Sequence, residues 1–99
     1  FLNGKVSVRI LLDEQATGSN AMALDLIEFE PGTDAPRHQH DGSAELLYTI
    51  EGGGKLSVGS ETMDFGPEDT SHVPPNQPHA AKFTTAGKTV AVQIYAPAG

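Results

Sequence analysis

The chain has no cysteine and no tryptophan among its 99 residues. Without cysteine there is no disulfide framework, no thiolate nucleophile and no zinc-finger chemistry. Basic residues are scarce: 6 Lys and Arg against 13 Asp and Glu give a net charge of −7. A surface of that sign repels phosphate backbones and anionic lipid, which argues against nucleic-acid and membrane partners. It does not bar a small anionic ligand, because a bound cation reverses the local field. No apolar run approaches the roughly 20 residues that span a bilayer. Extended 3.6-residue apolar periodicity is also missing. Residues 15–23 have room for one helical turn, but Gly18 and Ser19 inside them favour a loop. The chain opens on Phe1 rather than Met and carries no basic-then-apolar leader. It is therefore expected to be a truncated or processed piece of cytoplasmic location, with a removed leader left open.

What remains is turn-rich and β-like. Eleven glycines and 7 prolines are spread along the chain, punctuating short runs rather than marking a tail. The runs are Val6–Leu12, residues 21–30, residues 45–50, a hairpin of residues 55–58 and 61–65 around Gly59-Ser60, Thr70–Val73, residues 79–84, and Thr89–Ala96. Turn signals about 8 to 12 residues apart predict an all-β sandwich or barrel in a single domain, residues 1–99.

The chemistry is concentrated in GTDAPRHQHDGSAELLYTIEG, residues 32–52. His38, His40 and Glu45 fall within eight residues, and His79 follows downstream in PPNQPHA. Two imidazoles and a carboxylate are a common ligand set for a divalent first-row metal. On a strand, residues two apart share a face, so His38 and His40 are expected to project together. The small polar turn at residues 41–44 would bring Glu45 back beside them. Three ligands on one side leave coordination positions open, which suits catalysis or substrate chelation. The bland alternative is a surface H-x-H pair with Glu45 a solvated strand-end charge.

A family resemblance bears on the choice. Gly32, His38, His40, Glu45 and Gly52 match the first cupin motif, G-x5-H-x-H-x4-E-x6-G, at every specified position. The second motif, G-x5-P-x-G-x2-H-x3-N, is met less completely. Pro74 and His79 fall in place, while Glu68 and Asn76 stand at its glycines and Phe83 at its asparagine. Asn tolerates the left-handed turn conformation, so its substitution is mild. The chain thus resembles a small single-domain bacterial cupin. The resemblance implies a double-stranded β-helix, a jelly-roll barrel of six to eight strands. It also implies one divalent transition metal (Mn, Fe, Ni or Zn) held by His38, His40, Glu45 and His79.

Other residues carry weaker signals. His72 could enter the pocket as a proton shuttle or stand as a partly exposed strand residue. Gln93 shares a strand face with Tyr95, opposite Val90, Val92 and Ile94. It is either a hydrogen-bonding group of the pocket or an outward polar residue. Leu46 and Tyr48 face away from Glu45 unless a bulge intervenes. Met22 and Met63 read as core fillers.

Two functional classes fit. One is a metal-dependent enzyme on a small organic molecule, with dioxygenation, decarboxylation or isomerisation open and an oxidoreductase type favoured. The other is a non-catalytic module that binds or senses a small ligand. A homodimer is expected, because small cupins pair through a sheet face or edge strands and a short sandwich has edges to protect.

Overall fold

In the computed structural model, which describes residues 4–97, nine strands and one helical turn form two antiparallel sheets. The strands are β1 (Val6–Leu12), β2 (Ala23–Phe29), β3 (Asp34–His38), β4 (Ala44–Glu51), β5 (Gly54–Val58), β6 (Glu61–Phe65), β7 (Thr70–Val73), β8 (His79–Phe83) and β9 (Thr89–Ala96). One sheet has the order β1-β2-β9-β4-β7, the other β3-β8-β5-β6. This is the double-stranded β-helix. Its strand count exceeds the expected six to eight because Asp34–His38 pairs as a strand despite Pro36. β3 is an edge strand, where a residue without an N–H costs no ladder bond, and its register shifts between Ala35 and His38.

Where a loop was favoured for residues 15–23, a helical turn, α1 (Glu14–Thr17), takes in the first three of them. The Asp13 side chain accepts from the Ala16 N–H at 2.9 Å, and Gly18 ends the turn at φ 76. Residues 18–22 are loop, as Gly18 and Ser19 led one to expect, and Ala23 opens β2.

Two ends of the barrel differ in character. At one end Phe29 and Phe83 stack with centroids 3.9 Å apart, and Phe65 meets Phe83 edge-on at 6.0 Å. Each such pair adds about 0.5–1.5 kcal/mol beyond the apolar area it buries. Val6, Ile27, Leu47, Leu56 and Ala91 complete this core. Phe83, which takes the place of the motif's asparagine, is therefore a core residue. β2, β4, β8 and β9 each run between this apolar end and a polar one. β8 has Phe83 at the first and His79 at the second; β4 has Thr49 and Glu45; β9 has Thr89 and Tyr95.

Alternation sorts the faces. On β9 the inward set is Thr89, Ala91, Gln93 and Tyr95, while Val92 and Ile94 face outward and are half-buried. On β4 Glu45, Leu47 and Thr49 are buried and Leu46, Tyr48 and Ile50 are exposed. The β4 bulge comes only later, between Thr49 and Glu51. Met22 and Met63 are 57% and 40% exposed, so neither fills the core. Met22 sits just before β2, in the loop after α1, and Met63 lies on the edge strand β6.

Candidate metal centre

The polar end gathers the histidines. His38 closes β3 and is the register partner of His79 on β8. His40 lies just past β3, where the chain crosses from one sheet to the other. Glu45, near the start of β4, faces them from the other sheet. The His38 and His40 rings therefore converge through the strand's end and the following turn, at 5.1 Å and nearly perpendicular, rather than through alternation within one strand. The His38 and His79 rings are 4.2 Å apart. One ligand nitrogen from each of His38, His40 and His79 lies within 4.8 Å of the others, so the three could hold a metal ion. Glu45 Oε1 is 3.2 Å from His40 Nε2 and 3.7 Å from His79 Nε2.

The protonation pattern fits such an ion. His38 Nδ1 lies 2.9 Å from the Pro36 carbonyl oxygen, and His79 Nδ1 lies 3.1 Å from that of Gln77. A carbonyl only accepts, so in the neutral rings each Nδ1 carries the proton and each Nε2 keeps its lone pair. The Nε2 atoms of His40 and His79 are buried and approach Glu45 Oε1 without good hydrogen-bond geometry. Buried nitrogens without partners are costly unless something else binds them.

Electrostatics tie the cluster together. Burial alone would raise the Glu45 pKa, but the adjacent His79 and His40, with help from Gln93, hold it below its ordinary value. Glu45 in turn holds His79 above its ordinary value, against burial. His40 is pushed down by burial, and its two histidine neighbours add to that while Glu45 opposes it. Burial, then Glu45 and Asp25, push the Tyr95 phenol well above its usual range, so it stays protonated as a donor.

A cavity of about 430 Å³ opens beside the cluster, between the sheets. His38, Glu45, His79, Gln93 and Tyr95 line one part of it, and Val6, Ile27, Phe29, Leu56 and Phe83 another. Val8 on β1 and Pro36 on β3 also line it while exposed. These two strands are edges of different sheets, so the mouth lies between them.

Among the two further candidates, Gln93 is buried and faces the cavity. His72 is placed otherwise. Ser71 and Val73 take the inward positions of β7, and His72 is exposed on the outer face opposite Leu46. It borders a separate surface depression with Glu61 and Gln77, away from the histidine cluster. A proton-shuttle role is not compatible with that placement.

Asp25 escaped the sequence reading, and Asn76 does more than that reading gave it. Asp25 is buried on β2 and lines the cavity. The β-alternation of residues 23–29 could have shown that it shares the inward face with Ile27 and Phe29. Asn76 takes φ 63, as expected of a glycine substitute, but it also acts through hydrogen bonds. Its N–H donates to the His40 carbonyl at 2.9 Å, and its side-chain oxygen accepts from the Gly42 N–H at 3.0 Å. Asn76 thus fastens the turn that carries His40.

Comparison with known proteins agrees with this architecture. The family model described as Cupin domain matches residues 25–95. The chain belongs to the cupin family. An uncharacterized protein of Methanocaldococcus jannaschii, MJ1618, is 33% identical over 48 residues, which cover 48% of this chain and 38% of that protein. The match thus spans well under half of that relative's length. A predicted oxalate decarboxylase from Thermotoga maritima superposes with TM-score 0.84 at 18% identity, covering 93% of this cupin and 80% of that chain. The polyketide cyclase RemF from Streptomyces resistomycificus gives 0.80 at 21%, covering 94% and 66%. At these identities the likeness is one of fold.

Proposed function

We propose that this cupin binds one divalent transition metal through His38, His40, His79 and Glu45, and acts on or binds a small organic molecule in the adjoining cavity. The observation that carries the reading is the cluster of three imidazoles, with one nitrogen of each within 4.8 Å of the others and the Nδ1 atoms of His38 and His79 tied to backbone carbonyls. Manganese, iron, nickel and zinc all suit these donors, and availability decides among them. Such an ion supplies Lewis acidity and open coordination positions. The chain's own residues then orient the ligand. Tyr95 donates, Gln93 steadies the Glu45 carboxylate, and the apolar wall excludes water. The predicted oxalate decarboxylase and the polyketide cyclase share this fold and carry different chemistries in their names, so fold selects no reaction.

The enzymatic reading is favoured by polar groups beyond the four ligands, namely Asp25, Gln93 and Tyr95. A non-catalytic ligand-binding module is the second reading, favoured by the largely apolar remainder of the wall. Oxygen uptake and product analysis with metal-loaded protein and a panel of diketones and phenols separate them. Turnover abolished by His79→Ala supports the enzyme; tight binding without turnover supports the module.

We further propose a homodimer across the outer face of the five-stranded sheet. Two cross-strand rows there are apolar: Leu12, Leu24, Ile94 and Leu46, then Leu26, Val92 and Tyr48. Leu12, Leu46, Tyr48 and the nearby Met22 and Ile50 are all more than a third exposed. Together they form an apolar surface patch of the kind that marks an interaction site. Leu46 and Tyr48 are exposed on one side of β9, and a depression walled by Met22, Leu24 and Ile94 lies on the other, so a two-fold pairing would set the one against the other.

A further inference from the structure

We infer that the cavity selects an uncharged, mostly apolar molecule carrying a hydroxyl group, and that Asp25 is the residue that receives that hydroxyl. The inference rests on the reading that the cavity beside the metal centre is the binding site, and it names the class of ligand.

Asp25 is 8% exposed, and its Oδ1 has no hydrogen-bond partner. It sits on β2 opposite Gln93 of β9 and borders the cavity. A buried carboxylate oxygen without a donor is expensive, and the cavity is the direction from which a donor can come. A ligand hydroxyl placed there supplies it.

Charge counting narrows the class. Among the described residues the cavity lining contains two carboxylates, Asp25 and Glu45, and no lysine or arginine. The two positive charges of a divalent ion are matched by these two negative ones, so the loaded cavity is neutral. A polyanion finds no uncompensated positive group, and a cation is repelled by the ion itself. The other wall, of Val6, Ile27, Phe29, Leu56 and Phe83, rewards an apolar body. Phe29 and Phe83 both border the cavity, so an aromatic body meets aromatic neighbours there. Burial, then Glu45, pushes the Asp25 carboxyl up to about 6, in keeping with a site that disfavours added negative charge.

Three probes of one shape test this: 2-naphthol, 2-naphthoate and 2-naphthylmethylammonium, titrated calorimetrically at pH 7.5 into metal-loaded and chelator-treated protein. In the loaded protein 2-naphthol should bind about tenfold more tightly than either charged analogue. In both forms it should outbind 2-naphthoate. Asp25→Leu should weaken 2-naphthol about tenfold, leave 2-naphthoate no weaker, and leave metal content unchanged. Asp25→Asn, which keeps an acceptor oxygen, should lose less. The inference is overturned by 2-naphthoate binding as tightly as 2-naphthol, by the ammonium binding best to loaded protein, by no binding of 2-naphthol, or by an indifferent Asp25→Leu. A failed metal assignment shows separately, as metal content insensitive to the histidines, while the naphthol preference of chelator-treated protein is still read.

Discussion

Asn76 serves the site in two ways, and a glycine would serve it in one. Either residue accepts the positive φ, but only Asn offers the side-chain oxygen that holds Gly42 and, through that turn, His40. Asn76→Gly is expected to weaken metal binding about tenfold while leaving the far-ultraviolet circular dichroism unchanged; unchanged affinity would show that the clamp is dispensable. Asp25 makes a prediction about pH. Its carboxyl, ordinarily near 3.8, is raised to about 6 in the fold by burial and by Glu45. Between those values the folded chain holds the extra proton, so the contribution present below about 4 is lost as pH rises through about 6. Asp25→Asn removes that loss. Discounted for water in the cavity, the variant should gain about 1–2 kcal/mol over the parent above pH 7 and show little gain at pH 4. Denaturant unfolding at both pH values checks this, and an equal difference at the two would count against it.

At the scale of elements, β5 shows how tightly the sheets are closed. Gly54 pairs with both Phe65 and Phe83, and a Cβ there would overlap the Lys82 carbonyl oxygen. Gly54→Ala is expected to cost about 3 kcal/mol, read as a lowered denaturation midpoint; a stability equal to the parent's would show that β8 can yield. Much at this scale was legible in the sequence. All eight of the runs marked by turn residues and alternation correspond to strands, and the motif spacing singled out the three histidines that converge. The misses have physical reasons. β3 escaped because Pro36 interrupts its pattern, and only its place at a sheet edge makes that harmless. The inward face of β9 was ambiguous because it carries Gln93 and Tyr95, while the more apolar Val92 and Ile94 face out. Residues around a polar cavity invert the ordinary inside-outside rule. The same inversion hid Asp25, an acid on a core-facing position.

For the whole molecule, the apolar outer face and the net charge of −7 pull against each other in assembly. Two copies repel at long range, yet salt screens that repulsion and does not weaken apolar burial. The protein should run as a dimer in light scattering at physiological ionic strength, and Tyr48→Glu with Leu46→Glu should give a folded monomer. A monomeric parent at high micromolar concentration would refute the pairing. No helix among the described residues is long and apolar enough to cross a membrane.

The central claim is that the histidines meet at one ion. Elemental analysis of purified protein, after incubation with divalent metals and desalting, tests it most directly. The parent should retain close to one transition-metal ion per chain, and folded His38→Ala, His40→Ala and His79→Ala variants should each retain on the order of a tenth or less. A parent that retains none, or variants that retain as much as the parent, would contradict the account.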